Sequence, residues 1–229
     1  MKKFMSMLLI LLLFASFATA ETTASPILFR NNEWGSSFAT VQSSFPEEVR
    51  FYDLDKDSAY TVEAKLIDEW GDYYNGDVCL HTSARSSSIE GIKVAGYEIS
   101  DISLYFARVP DENGLLVDDD SYTSLYYASY EITPKDPEAA LADLREKLIG
   151  LYGEPSDEEE SDSYIARKYT LWRGANDTIV LLVGSDYGSG SYEIEIRYAT
   201  LEGNQMLQTA LDALAKQEKL DAASNTDGL

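Results

Sequence analysis

The chain is 229 residues long, 45% apolar and 12% aromatic, with 40 acidic side chains against 18 basic ones and a formal net charge of −22. Such a charge repels nucleic-acid phosphates and anionic membrane surfaces at long range, so no nucleic-acid partner is expected, and the acids are read as solvated faces ahead of cation capture. The 16 tyrosines mark a folded chain, and the length supports a sizeable core in one large or two small domains.

Residues 1–20 open with Lys2 and Lys3, continue through an apolar run from Met7 to Phe17 and finish on Ala18-Thr19-Ala20. This is the pattern of a cleaved secretory signal peptide, with small residues at 18 and 20 suiting the peptidase. An uncleaved anchor is the alternative reading, but the run is shorter than the roughly 18 to 20 residues that cross a bilayer, and no similar run follows. No cysteine directly follows it, so a lipid anchor is not expected. The mature chain is expected to be secreted or held at the cell envelope, soluble and without stable membrane insertion. A single cysteine, Cys79, precludes an intramolecular disulfide, so stability has to come from apolar packing. Flanked by Val78 and Leu80, Cys79 reads as a small buried residue and not as a nucleophile.

An α+β domain is expected over 27–200, in units of about 27–133 and 134–200, followed by a helix at 201–220 and a flexible tail at 221–229. Over 37–45, Phe38, Val41 and Phe45 share one helical face, with Ser36 or Ser37 as the cap and Pro46 as the stop. Trp34 reads as a wedge anchoring that helix and Gly35 as the sharp turn into it. A period of two then predicts strands at 60–68, 77–85, 96–108 and 124–133, with a bulge near Ser100 and Asp101 to bring Ile99 into phase with Ile102. The stretch 109–123 reads as an exposed connection. Asp136 caps the second helix, Pro137 takes its first position, Glu138 suits its positive end, and Leu141, Leu144, Leu148 and Leu151 form its stripe. Gly153 and Pro155 close it.

Strands at 164–173, 177–185 and 191–199 follow as an antiparallel meander, the last alternating Tyr192, Ile194, Ile196 and Tyr198 with Glu193, Glu195 and Arg197. The third helix sets Leu207, Leu211 and Leu214 on one face. The fold class is therefore α+β: two successive helix-plus-antiparallel-sheet units, helices on one sheet face, and a C-terminal helix.

Chemistry finds little support in the motifs. Asp53, Asp55 and Asp57 have the spacing of the first three ligands of a calcium loop, but Ser58 stands where the turn needs glycine and Ala64 where a bidentate glutamate belongs. Asp118 to Asp120 and Glu158 to Glu160 read as hydrated loops. Cys79 and His81 are too few for zinc, and a serine triad would depend on His81, the one histidine, without a G-x-S-x-G elbow. No phosphate loop or dinucleotide fingerprint is present. No catalytic, cofactor-binding or metal-ligating residue is assigned, and no cofactor is expected. The remaining enzymatic option is a glycosidase, which needs two carboxylates near an aromatic platform such as Trp34, Trp70 or Trp172. Tyr122, Tyr126 and Tyr130 are expected on one strand face, as core or sheet surface ahead of a sugar platform.

The stretch "WGSSFATV" at 34–41 is similar to the helix start of small secreted helix-plus-sheet proteins, including outer-membrane-assembly lipoproteins and β-lactamase inhibitor protein, with Ser36 in place of their usual methionine. "FRNNEWGSS", "VAGYEI" at 94–99, "LREKLIGLYGEP" at 144–155 and "IEIRYA" together resemble a group of uncharacterised secreted bacterial proteins. That resemblance implies an exported α+β fold of binding type. The expected function is non-enzymatic binding of a protein or cell-envelope component through exposed sheet faces or loops. The alternative is an extracellular carbohydrate-active or carbohydrate-binding protein using paired carboxylates and aromatics, and a third option is an acidic, calcium-stabilised envelope protein.

Overall fold

The computed structural model describes residues 25–53, 60–61, 73–74, 78–162, 164–188 and 190–224. The expected leader, most of the strand expected at 60–68, Asp55, Asp57, Ser58, Ala64 and Trp70 lie outside these residues. In chain order the elements are α1 (Phe38–Gln42), β1 (Tyr52–Asp53), β2 (Tyr60–Thr61), β3 (Tyr73–Tyr74), β4 (Cys79–Arg85), β5 (Lys93–Val94), β6 (Tyr97–Glu98), β7 (Asp101–Arg108) and β8 (Thr123–Ile132). There follow α2 (Pro137–Tyr152), β9 (Asp157–Asp162), β10 (Ala166–Arg173), β11 (Thr178–Asp186), β12 (Tyr192–Thr200) and α3 (Gly203–Ser224).

The architecture is α+β, with helix-plus-antiparallel-sheet units in succession and a C-terminal helix. The strands of the two units join edge to edge as one eight-stranded antiparallel sheet, in the order β1-β4-β7-β8-β12-β11-β10-β9. The seam is β8 against β12, from Ile132 opposite Ile194 to Tyr127 opposite Ala199. Beyond that seam the opening segment takes over as the partner of β8: Gly35 N–H donates to Leu125 O and Leu125 N–H to Ser36 O, both at 2.9 Å. Gly35 supplies the positive φ of 88° that this entry needs, and Ser37, not Ser36, is the cap, its hydroxyl accepting from Thr40 N–H at 3.4 Å. Trp34 packs against the core and donates its indole N–H to Ile27 O at 2.8 Å, the anchoring role expected of it.

Residues alternate between two faces, and each face has its own apolar cluster. On the front face, α1 and α2 cover Leu80, Ile102, Leu104, Phe106, Leu125, Tyr130, Val180, Leu182, Ile194, Ile196 and Tyr198. Phe38 of α1 meets Phe106 edge-on at 5.6 Å, and α2 buries Ala140, Leu144 and Leu148. The first two helices thus share a sheet face as expected. The back face carries Cys79, Tyr126, Tyr127, Leu171, Leu181 and Ala199, and α3 docks there through Leu207 and Ala210.

Five details differ from the sequence reading. Leu151 is 72% exposed, because the buried face of α2 continues from Leu144 and Leu148 through Ile149 and Tyr152, and Leu151 lies off it. The expected bulge near Ser100 is a strand break between β6 and β7, and the bulge lies instead where Tyr105 and Phe106 meet Tyr127 and Leu125. It turns both Tyr126 and Tyr127 to the back, so Tyr126 and Tyr130 lie on opposite faces and the expected tyrosine stripe does not form. Glu158 to Glu160, read as a loop, belong to β9, where backbone pairing with β10 outweighs the poor strand propensity of acids. The C-terminal helix continues to Ser224, four residues into the expected tail.

Candidate functional site

Two polar regions stand out, one on each face of the sheet. The first is a groove of about 580 Å³ on the front, between α2 and the outer strands β9 to β11. Its helix wall is Glu138, Leu141, Ala142 and Arg145, and its floor includes Lys168, Thr170, Leu182, Gly184 and Asp186, with Glu158 and Glu160 as the outer lip. Gly184 sets how closely the groove lining packs. A Cβ there would meet the Tyr192 hydroxyl at 2.5 Å and Leu141 Cδ2 at 2.9 Å, so the bare backbone lets a tyrosine from β12 and a leucine from α2 close over β11. Tyr192 lies opposite Asp186 in the ladder, and its hydroxyl is raised above the ordinary tyrosine pKa, first by burial and then by Asp186 and Glu138 against the opposing charge of Lys168.

Ion pairs brace the groove. Arg145 Nε donates to Glu158 Oε1 at 2.7 Å, tying the helix to the edge strand, and Lys168 Nζ lies 3.3 Å from Glu160 Oε1. These pairs are solvent-facing, so each contributes at most about 1 kcal/mol and serves to hold geometry more than stability. Glu138 and Asp186 make no ion pair among the described residues, and Asp186 Oδ1 instead accepts the Gly188 N–H at 2.8 Å. Beside the groove, the β9–β10 turn presents Tyr164, 97% exposed.

The second region is the polar part of the back face. Register sets Asp101 opposite Glu131 and Glu131 opposite Glu195, a row of like charges across three strands. The next row is Ser83, Ser103, Ser129 and Arg197, and the one after it His81, Tyr105 and Tyr127. Like charges directly opposite on a sheet repel, and here they are relieved by neighbours: Arg197 donates to Glu195 Oε2 at 2.6 Å, Tyr127 donates to Glu195 Oε1 at 3.1 Å, and Arg85 lies 3.7 Å from Asp101. Burial, then the nearby Glu131 and Glu195, push Glu193 up to about 7. Burial also raises Asp101 above the usual carboxylate range. His81 stacks on Tyr105 with centroids 4.0 Å apart, and burial lowers its pKa to about 4, so it is neutral at physiological pH.

The residues singled out in the sequence are dispersed. Cys79 is buried as expected, its sulfur 3.1 Å from the Tyr126 hydroxyl. His81 is on the back face, away from the groove. Trp172 is a core residue at 1% exposure that donates to Gly153 O at 2.9 Å, so its ring is not available as a sugar platform, and Trp34, half-buried, donates to Ile27 O. Asp53 lies in β1 opposite Thr82. No group of three or more His, Cys, Asp or Glu able to hold a metal occurs among the described residues. Asp118 lies 3.4 Å from Arg108, and Asp119 accepts from both Ser121 N–H and Ser121 Oγ, so this acidic run organises a turn instead of only hydrating it. Sequence reading missed the groove residues Glu138, Asp186 and Gly184 as a set. The sole sequence signal was a glycine inside the apolar run of β11, which points to close approach by another group.

Comparison with family models, curated proteins and solved structures finds no match. No helix among the described residues is long and apolar enough to cross a membrane.

Proposed function

We propose that this chain is an exported, non-enzymatic protein that binds a protein or cell-envelope component through the groove between α2 and strands β9 to β11. The observation that carries this reading is the groove itself, about 580 Å³ in volume, with walls braced by ion pairs and Tyr192 and Leu141 packed tightly over Gly184 in its lining. That volume is in the range of ligand sites, and a site held in place before binding loses less freedom on complex formation. A secretory leader and a strongly acidic surface suit an extracellular binder. The absence of catalysis is supported by the placement of the one histidine on the opposite face and by the engagement of Glu158 and Glu160 with cations.

A carbohydrate ligand is the second reading, favoured by Tyr192 with Glu138 and Asp186 beside it in the groove. One experiment addresses both. A photo-crosslinking amino acid replaces Tyr192, or as a control Leu220 on α3, and the protein is incubated with native cell envelopes. Adducts specific to position 192, and lost when Gly184→Ala displaces the groove lining, are the expected result. Adducts that shift with protease define a protein ligand, and adducts that shift with glycan-cleaving enzymes define a carbohydrate. Identical adducts from both positions, or none, overturn the groove as the binding surface.

A further inference from the structure

We propose that Glu193 is a proton-operated latch on the start of β12: protonated, it holds Tyr192 in the groove, and its ionisation frees that residue and loosens the groove's grip on its ligand. The proposal rests on the groove reading above and adds its regulation. It stands first on where the seam ends. β12 begins at Tyr192, but its pairing with β8 begins only at Ile194, opposite Ile132. Tyr192 and Glu193 therefore have a strand partner on one side alone, Asp186 and Ser185 of β11. The turn leading into them contains Gly188 and Gly190 at φ of 72° and 84°, with nothing within 4 Å of the Cβ that either would carry. The start of β12 can part from the sheet there without breaking the seam. Tyr192 faces the groove and fits tightly over Gly184, so its departure alters the groove lining directly. Successive side chains of a strand point to opposite faces, which places Glu193 on the back.

The charges around Glu193 supply the control. Glu195 lies two residues along the same strand, Glu131 diagonally across the seam, and Asp101 beyond Glu131 in the same row. Tyr187 of the turn is within electrostatic reach as well. The cations facing Glu193 are Arg197, which donates to Glu195 at 2.6 Å, and Arg167 of β10, which lies opposite Ser185. Glu195 also accepts from Tyr127, and Glu131 accepts from Ser100 Oγ at 3.0 Å. Glu193 makes no hydrogen bond or ion pair among the described residues, so its ionised form is the least compensated member of the group. Burial, then Glu131 and Glu195, keep its proton on up to about 7, against 4.5 for the same group in water. The docked start of β12 binds that proton more tightly than the freed one, so raising the pH through this window favours release.

Amide hydrogen exchange on the full mature chain tests the latch. Once corrected for intrinsic rates, protection over 192–194 is expected to fall about tenfold between pH 6 and 8, the change that these two values dictate, and then to level off. Glu193→Gln should abolish the response. Glu131→Gln should move the levelling-off about half a pH unit lower, and Arg167→Gln about half a unit higher. Ile196 and Tyr198, inside the seam, should stay better protected than 192–194 throughout. An unchanged response in Glu193→Gln, or equal protection inside the seam, overturns the latch. With the crosslinker at position 192 and native envelopes, adducts should fall by up to about tenfold from pH 6 to 8, and Glu193→Gln should remove the fall. Adducts indifferent to pH while exchange responds overturn the control of the groove. If neither responds but position 192 still crosslinks specifically, only this proposal falls. If position 192 gives no specific adduct at either pH, the groove reading falls, and the exchange data alone judge the latch.

Discussion

The two faces of the sheet use the same strands for different ends. On the front face, the Phe29 ring meets Tyr130 at 5.2 Å and Tyr198 edge-on at 5.7 Å, and α1 and α2 close over an apolar field that gives way to charge at the β9–β11 groove. On the back face, an apolar patch under α3 abuts rows of serine, arginine and carboxylate. The difference follows from the alternation of β7, β8 and β12, whose front positions are mostly Ile, Leu, Phe or Tyr and whose back positions include Asp101, Ser103, Ser129, Glu131, Glu193, Glu195 and Arg197. A face that packs against two helices has to be dry. A face with one helix can keep half-buried charges, but their titration then enters the stability of the fold.

Cutting each face at its centre is the strongest way to break this contrast. Trp172→Ala empties the front core and orphans Gly153 O, and should cost about 3 to 5 kcal/mol. Leu207→Ala, under α3, should cost about 2 to 5 kcal/mol. Urea unfolding reads both, and the contrast fails if either change is near neutral. Hydrogen exchange in Leu207→Ala should loosen α3 first, leaving α2 protected.

A pH series sharpens the comparison without large losses. Glu193 rises from 4.5 to about 7 on folding, so between those values the native state keeps a proton that the unfolded chain releases, and stability from this group grows as pH falls from about 7 towards 4.5. His81 falls from 6.5 to about 4, so the unfolded chain takes up the proton first and stability is lost as pH drops through that window. Glu193→Gln should raise stability above pH 7 and steepen the acid loss, whereas His81→Phe, which keeps the stack on Tyr105, should flatten it. Urea midpoints measured across the range would refute the assignment if the two variants shifted in the same direction. Front-face variants such as Trp172→Ala should leave these slopes unchanged.

The smallest expected effect is at the entry to the front face. Ser37→Ala removes the cap of α1 and should cost about 0.5 to 1 kcal/mol, the low end for a cap because the bond is 3.4 Å long, while Ser36→Ala should cost less. A thermal melt showing the reverse order would return the capping role to Ser36.

Much of the fold was legible where the signal is local. Asp136, Pro137 and Gly153 set the limits of α2: the Asp136 carboxylate accepts from Ala139 N–H, and Gly153 adopts a φ of 83°. The alternation in β12 identified its two faces, and the apolar run of β11 identified a central strand. The groove was not legible in the same way. Gly184, Tyr192 and Leu141 sit on three elements, and their meeting depends on register and on where α2 lies. β9 was hidden because five acids argue against a strand until β10 offers it a ladder.

By itself the sequence determined the class of the fold, the helices with strong caps and the role of Cys79, because capping, turn chemistry and hydrophobic period act between near neighbours. The tertiary structure alone decided that the two units share one sheet through β8 and β12, that α3 takes the back face, that Tyr126 and Tyr130 part company at a bulge, and that Tyr192 and Leu141 meet over Gly184 in the groove. Those outcomes rest on pairings between residues far apart in the chain, whose energies appear only once strand order and register are set.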